Sequence, residues 1–274
     1  MRKQPEKDQI VLVRIDRVLG YLYLPSEPTN KAVIHAKGGP SLGDDGKSPL
    51  WAVAKRFGRI LFVPDYIGYC RSYGVFNFQN CVETIYEVED FLRGKRGGLI
   101  TDTNQPIKLA CDDIVLEGSS WGGSIVPFLE KYRHSQINDI AIVKGVTDWA
   151  SLDNGEYEET DTAETSNFAE LGWANIYRGY AQSEWPQIFR GKLRECNPID
   201  NIALLKDKRV YIAHGENDTS VNWHRSKVFY DKLRQTFLDM PVYWKMLDTG
   251  HGGEANALGL EFMLETIEMN KTMR

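Results

Sequence analysis

The fold is decided by a ten-residue stretch, Ile114-Val115-Leu116-Glu117-Gly118-Ser119-Ser120-Trp121-Gly122-Gly123. An apolar run typical of a β-strand ends at Gly118, and residues 124–132 have a pattern typical of a helix. Centred on Ser120, the stretch contains a G-x-S-x-G pattern, which indicates a nucleophile elbow when a strand precedes it and a helix follows. Such a turn projects the serine outward and crowds the positions two residues away, so only small residues fit there. Ser119 is the rival nucleophile, but it lacks glycines at those positions.

Length and composition are those of a globular protein with one large core. The chain has 274 residues, of which 42% are hydrophobic and 26% charged, so we expect a single domain over residues 1–274. The net charge of −5 and the lack of a Lys/Arg stripe argue against a nucleic-acid partner. The four cysteines are scattered without a C-x-x-C pair, which favours free thiols over a zinc site.

The amino terminus and the apolar runs bear on localisation. Residues 1–9 are charged and lack the apolar core of a secretory signal. No apolar run approaches the roughly 18–20 residues that are needed to cross a membrane. We therefore expect a cytoplasmic protein with no membrane partner.

Apolar strand patterns alternate with helical patterns from residue 31 onward. Strands are predicted at residues 31–36, 59–64, 114–118, 140–143, 209–214 and 242–247, and helices at 49–57, 82–92 and 258–267. Two more strands, at 10–15 and 19–24, are predicted near the amino terminus, and residues 94–105 are predicted to be a polar loop. This alternation predicts an α/β fold with a mostly parallel sheet flanked by helices. Functional residues are expected in the loops beyond the carboxyl ends of the strands.

Two of those loops contain an acid and a base that complete a catalytic set with the serine. Asp218 follows the strand at 209–214, and His251 follows the strand at 242–247. A serine hydroxyl needs a histidine to accept its proton and a carboxylate to orient that histidine. The chain order Ser120, Asp218, His251 is the order found in α/β-hydrolases. Glu216 is the alternative acid.

The remaining histidines are predicted to be structural. His35 and His214 lie at strand ends, where we expect them to be packed and hydrogen-bonded. His134 and His224 are predicted to be surface residues on helices.

An oxyanion hole is predicted from two backbone N–H groups. One belongs to Trp121, the residue after the nucleophile, and the other to the loop that follows the strand at 31–36. In that loop Gly39 is favoured over Gly38 and Lys37.

The chain resembles the α/β-hydrolase superfamily, and within it the catalytic domain of the prolyl oligopeptidase family. The resemblance rests on six pieces: Gly38-Gly39-Pro40, Asp65-Tyr66-x-Gly68, Gly118-x-Ser120-x-Gly122-Gly123, Val146-Thr147-Asp148-Trp149, His214-Gly215-Glu216-Asn217-Asp218 and Gly250-His251-Gly252. It implies an eight-stranded sheet whose second strand is antiparallel. Lys37 departs from the family, which usually has His or Tyr before Gly-Gly. We expect no β-propeller before this region, and a free-standing domain of this kind is more often an esterase than an oligopeptidase.

Residues 150–196 are predicted to form a small helical cap. The segment is acidic at first, with Asp153, Glu156, Glu158, Glu159, Asp161 and Glu164, and then aromatic and apolar, with Phe168, Leu171, Trp173, Ile176, Tyr177, Tyr180, Trp185 and Phe189. Two readings stay open at this point. The aromatic side chains face the active site, or they pack the cap on the core while the acids form a solvated face.

The sequence therefore predicts a serine hydrolase that cleaves a carboxylic ester or similar acyl bond. The alternatives are an oligopeptidase or aminoacyl-peptide hydrolase, and a non-catalytic binding protein with a hydrolase fold. No metal and no organic cofactor are implied. The expected partner is a small-molecule ester or a short peptide, and the oligomeric state stays open.

Overall fold

A ten-stranded sheet forms the centre of the protein. The computed structural model describes residues 7–151 and 175–273. In chain order the strands are β1 (Gln9–Ile15), β2 (Val18–Leu24), β3 (Lys31–Ala36), β4 (Ile60–Pro64), β5 (Gly98–Ile100), β6 (Pro106–Ile107), β7 (Asp113–Ser119), β8 (Asp139–Val143), β9 (Arg209–Gly215) and β10 (Val242–Leu247). Their spatial order is β10-β9-β8-β7-β3-β4-β2-β1-β5-β6. The six strands from β10 to β4 are parallel, whereas β2 is antiparallel to both β1 and β4. The predicted α/β sheet with an antiparallel second strand is therefore confirmed.

The prediction of eight strands was wrong by one edge hairpin. The two extra strands, β5 and β6, come from the stretch around residues 94–107, most of which was predicted to be a polar loop. β5 pairs antiparallel with β1, and Ile100 lies opposite Val13. β6 pairs in turn with β5. A strand of two or three residues is too short to give a readable sequence period, but its backbone groups cover the otherwise open edge of β1.

Helices cover both faces of the sheet. They are α1 (Trp51–Arg56), α2 (Phe78–Leu92), α3 (Trp121–Ile125), α4 (Trp185–Ile188), α5 (Trp223–Thr236) and α6 (Gly253–Thr272), with short 3-10 turns between them. Alternate side chains of the central strands point to opposite faces: Leu116 packs in the core under α2, α3 and α5, whereas Val115 packs in the core under α1 and α6. Because the parallel strands are buried on both faces, their sequences are continuously apolar rather than alternating.

The helix after the nucleophile strand is shorter and starts earlier than predicted. α3 begins at Trp121, and after Ile125 the chain continues as a 3-10 turn over Val126–Phe128, not as a helix to residue 132. Pro127 lies in that turn and has no N–H to donate to the preceding turn of an α-helix. The last helix, α6, is longer than the predicted 258–267.

The described part of the predicted cap packs on a loop beside the site. Residues 152–174 lie outside the described residues, and with them the six acids as well as Phe168, Leu171 and Trp173. Beyond these residues, Tyr177 makes an antiparallel contact with Tyr69, and Cys70 N donates to Ile176 O at 2.8 Å. Tyr69 belongs to the loop after β4, so this contact fixes the segment next to the carboxyl edge of the sheet.

Candidate active site

Ser120 lies in a strained turn at the carboxyl end of β7. Its backbone has φ 52° and ψ −119°, a conformation that costs free energy for a residue with a side chain. Ser120 N donates to Val143 O at 3.0 Å, which ties the turn to β8. The glycines on either side are required by space: a Cβ on Gly122 would lie 1.8 Å from Ala36 O, and one on Gly118 would lie 2.6 Å from Gly122 O. Residues larger than glycine at positions 118 and 122 would therefore be incompatible with this turn.

The structure brings the three predicted catalytic residues together in one line. The distance from His251 Nε2 to Ser120 Oγ is 3.0 Å, and the distance from His251 Nδ1 to Asp218 Oδ2 is 2.7 Å. Asp218 follows β9 and His251 follows β10, so both reach Ser120 from neighbouring parallel strands. With Nδ1–H donating to the carboxylate, Nε2 is left to accept a proton from the serine hydroxyl.

Asp218 is held as a carboxylate by four donors. Oδ1 accepts hydrogen bonds from Ser220 N and Val221 N, both at 2.9 Å, while Oδ2 lies 2.7 Å from His251 Nδ1 and 3.2 Å from His214 Nε2. Burial alone would raise the pKa of Asp218, but the bonds from His214 and His251 outweigh it and hold the pKa well below its usual range. The acid of the site is therefore ionised throughout the neutral pH range.

The alternative residues are placed elsewhere. Ser119 is buried, and its hydroxyl donates to the carboxylate of Glu117. Glu216, the alternative acid, is exposed, whereas Asp218 is buried against His251. Neither alternative has the contacts that the chemistry needs.

The other histidines largely follow the prediction. His35 and His214 are buried and hydrogen-bonded, to Glu117 and to Ser226 respectively. His224 is exposed on α5. His134 is exposed too, but the prediction of a helix there was wrong, because α3 and its 3-10 turn end before it.

The loop after β3 passes directly over the nucleophile. A Cβ on Gly38 would lie 2.8 Å from Ser120 Cβ and 3.4 Å from Ser120 Oγ. A Cβ on Gly39 would instead meet Tyr177 Oη at 2.8 Å and Trp121 Cε3 at 2.9 Å. Both glycines are therefore needed for space, and Gly38 is the one in contact with Ser120.

Three tyrosines hold this loop, a role that the sequence did not predict for any of them. Tyr66 Oη donates to Lys37 O at 3.0 Å, and Tyr69 Oη donates to Ser41 O at 2.8 Å. Tyr177 Oη accepts from Ser41 N at 3.0 Å. The ring of Tyr177 also stacks on that of Trp121, with centroids 5.7 Å apart and planes inclined by 6°. Tyr66 lay within a motif of the resemblance, but nothing in the sequence pointed its hydroxyl at this loop.

A cavity of about 800 Å³ opens at Ser120. Its lining includes five apolar side chains and residues of the loop over 37–49; the apolar side chains are Trp121, Val146, Trp149, Phe189 and Val221. Of the described aromatic residues of the predicted cap, Phe189 lines the cavity. Trp185 is fully buried and contacts Trp121 with ring centroids 4.6 Å apart. The described aromatic residues thus include one that lines the cavity and one that packs in the core, while the acids lie outside the described residues.

Lys144 is a further charged residue at this cavity that the sequence did not single out. It is 5% exposed and follows β8, as Asp218 and His251 follow their strands. Its ammonium group donates to the backbone oxygens of His251 and Gly252. The one feature of the sequence that could have pointed to Lys144 is its position directly after a predicted parallel strand.

The described residues contain neither a cluster of metal ligands nor a helix that could span a membrane. No cluster of three or more His, Cys, Asp or Glu side chains in residues 7–151 and 175–273 is arranged to hold a metal ion. Over the same residues, no helix is both long enough and apolar enough to cross a bilayer. The four cysteines are all free thiols.

Comparison with known proteins identifies the fold. No protein-family model and no curated protein sequence matches the chain. The chain is similar to Francisella virulence factor BioJ, with 17% identity over 98% of this chain and 86% of that one and a TM-score of 0.61. It is also similar to an esterase from Pyrococcus furiosus, with 15% identity, coverages of 97% and 91% and a TM-score of 0.61.

A third similar structure is a puromycin-hydrolyzing peptidase from Mycobacterium tuberculosis, with 17% identity and a TM-score of 0.63. That match covers 94% of this chain but 38% of the peptidase, so this chain spans well under half of that protein's length. Esterases and peptidases both occur among the structural neighbours. At these identities the likeness establishes the architecture, and the chain has the α/β-hydrolase fold.

Proposed function

We propose that this protein is a serine hydrolase that cleaves a carboxylic ester or a similar acyl bond. The observation that carries the proposal is the pair of contacts on His251, 3.0 Å from Nε2 to Ser120 Oγ and 2.7 Å from Nδ1 to Asp218 Oδ2. A nucleophile, a base within hydrogen-bond reach and an acid that orients the base are the parts that acyl transfer requires. The strained turn at Ser120 supports the same assignment, because strain of this kind is concentrated at functional sites.

The geometry supports a two-step mechanism through an acyl-enzyme. Ser120 Oγ attacks the carbonyl carbon while His251 Nε2 takes the hydroxyl proton, and Asp218 stabilises the imidazolium that forms. The tetrahedral intermediate collapses as the imidazolium gives its proton to the leaving alcohol. Water then attacks the acyl-enzyme by the same proton transfers, which releases the acid and restores Ser120.

The oxyanion of both intermediates needs two backbone donors. We assign one to Trp121 N–H and the other to the loop of Gly38 and Gly39. The close approach of Gly38 to Ser120 supports this loop as the source. No residue of the described site is needed to hold a metal or an organic cofactor for this chemistry.

The cavity supports an apolar substrate group of small or medium size. Its volume of about 800 Å³ falls in the range of small-molecule pockets, and Trp149, Phe189 and Val221 offer an apolar wall. The presence of a peptidase among the structural neighbours favours short peptides as the second candidate class.

Labelling by a fluorophosphonate probe tests the assignment directly. We expect stoichiometric labelling of Ser120 in the wild type and none in Ser120→Ala, whose turnover of p-nitrophenyl esters should fall on the order of 10⁶-fold if the three residues act as a unit. Ser119→Ala is the matched control and should still be labelled at Ser120. A wild type that is folded but neither labelled nor active would make the protein a non-catalytic binder, and near-normal turnover by Ser120→Ala would disprove the nucleophile.

A further inference from the structure

Lys144 is a buried ammonium group fixed to the sheet beside the candidate site. Its backbone has φ 45°, and its N–H donates to Ala213 O at 2.8 Å, which anchors it to β9. The side chain is 5% exposed and lines the cavity. The mechanism above gives this residue no role.

Its acceptors are the main-chain oxygens of the catalytic loop itself. Lys144 Nζ donates to His251 O and, at 3.1 Å, to Gly252 O. His251 lies between Gly250 and Gly252, and a Cβ on Gly252 would meet nothing within 4 Å. Two glycines give the backbone on either side of His251 a wide range of accessible conformations, so contacts made from outside the loop help to fix its position.

Stability does not explain why a lysine stands here. Burial lowers the pKa of Lys144 to about 8, and attraction to Asp218 and Glu117 offsets that only in part. Within the described residues it forms no ion pair, since Asp218 is bonded by two histidines and Glu117 by His35 and Ser119. Burying a charge that has no ion-pair partner is costly, and an uncharged side chain would avoid that cost. An ammonium group buried here, with its hydrogen bonds directed at the backbone around His251, therefore points to a role in the site.

We propose that Lys144 is a positioning residue that ties the His251 loop to the sheet and holds His251 Nε2 at hydrogen-bond distance from Ser120 Oγ. The proposal rests on the proposed function, because it concerns the base of that site. A misplacement of about 1 Å at a reacting group can lower the rate by about 10²-fold. Loss of the tether should therefore affect kcat while substrate binding is retained.

The test compares two buried lysines. Lys208 is 3% exposed and also donates to two backbone oxygens, Ser135 O and Ile137 O, but it lies at the opposite, amino end of β9. We expect Lys144→Met to lower kcat by about 10- to 100-fold per folded molecule with KM within threefold, and Lys208→Met to leave both within twofold. Lys144→Arg, which keeps the charge and the donors, should recover part of the loss. Equal kcat values for Lys144→Met and the wild type would overturn the proposal.

A second readout does not depend on turnover. The proton on His251 Nδ1, bonded to Asp218, should give a downfield proton NMR resonance, assigned by its loss in His251→Ala. We expect this resonance to broaden or disappear in Lys144→Met and to persist in Lys208→Met. An unchanged resonance in Lys144→Met would also overturn the proposal.

If the wild type is inactive and unlabelled, the proposed function fails, but the resonance still tests whether Lys144 holds the His251 loop. Should Lys144→Met not fold, Lys144→Gln is tested by the same two readouts and the same criteria.

Discussion

At the scale of single residues, the carboxylate of Asp218 is held by hydrogen bonds from several directions. Two backbone N–H groups and two histidines surround its carboxylate. His214 is itself buried, with Nδ1 bonded to Ser226 Oγ at 2.7 Å. The carboxylate is thus fixed from several directions, so its orientation relative to His251 is set by the fold rather than by His251 alone.

Asp218→Asn therefore tests the acid with little change of shape. An amide in this position can donate to Nδ1 and stabilises the wrong imidazole tautomer, so we expect kcat to fall by about 10⁴-fold. The measurement is steady-state hydrolysis of a p-nitrophenyl ester. Glu216→Gln, on the exposed alternative acid, is the control and should stay within about twofold of the wild type. A larger loss in Glu216→Gln than in Asp218→Asn would reverse the assignment of the acid.

Lys144 also makes stability depend on pH in a window set by its own pKa. Burial lowers that pKa from 10.5 to about 8, so between these values the unfolded chain holds a proton that the folded protein has released. Since stability rises with pH where the unfolded state binds more protons, the free energy of unfolding should gain about 3 kcal/mol from pH 8 to 10.5.

In Lys144→Met this increment should be absent. Urea unfolding of both proteins at pH 7.5 and 10.5 gives the difference between them, in which the contributions of tyrosines and other lysines cancel. An identical change with pH in the two proteins would show that Lys144 does not titrate in this window.

At the scale of elements, the loop of residues 37–49 is held by side chains from two separate segments. Tyr66 and Tyr69 lie in the loop after β4, and Tyr177 belongs to the segment that resumes after residue 174. Tyr177 connects Trp121 with the loop that contains Gly38 and Gly39, since its ring stacks on Trp121 and its hydroxyl bonds Ser41 in that loop. The segment around Tyr177 thereby restrains this loop.

Tyr177→Phe should lower kcat without changing KM. The substitution keeps the stacked ring but removes the hydroxyl, which accepts from Ser41 N at 3.0 Å and donates to Ser41 O at 3.3 Å. Each hydrogen bond is worth about 0.5–1.5 kcal/mol, and the loss of one lowers the rate by roughly 2- to 12-fold. Tyr86→Phe is the control, because Tyr86 is equally buried and donates to Leu129 O at 2.9 Å, away from the site. Comparable losses of kcat in the two variants would mean that general destabilisation, not the loop, is responsible.

The elements differ in how far the sequence predicts them. The buried parallel strands are long apolar runs, and the Gly-x-Ser-x-Gly turn leaves no room for larger residues, so β7 and Ser120 are readable from local pattern alone. β5 and β6 are too short for a period, and the end of α3 depends on Pro127. Lys144 and the tyrosines were missed for a different reason. Their partners lie far along the chain, 107 residues away for Lys144 and His251 and 136 for Ser41 and Tyr177, and no local pattern encodes such contacts.

At the scale of the whole molecule, the fold collects the site from one edge of the sheet. Ser120, Lys144, Asp218 and His251 follow β7, β8, β9 and β10, which are adjacent and parallel. Parallel strands present all their carboxyl ends on the same side, so loops that are distant in sequence converge there. The cavity is then bounded by this edge, by the loop after β3 and by the described end of the cap.

The lining of the cavity predicts the class of substrate that the protein prefers. The apolar wall near Ser120, with Trp149, Phe189 and Val221, suits an acyl or alcohol group of small or medium size. We expect p-nitrophenyl esters of graded acyl length to be better substrates than aminoacyl p-nitroanilides once each rate is divided by its uncatalysed rate.

Phe189→Ala, which widens the apolar lining, should shift the preferred acyl chain toward greater length. Phe237→Ala, on a side chain outside the cavity lining, should leave the preferred length unchanged. If the anilides are preferred by tenfold or more, about 1.4 kcal/mol of transition-state discrimination, the substrate class is peptides, and the esterase assignment is wrong.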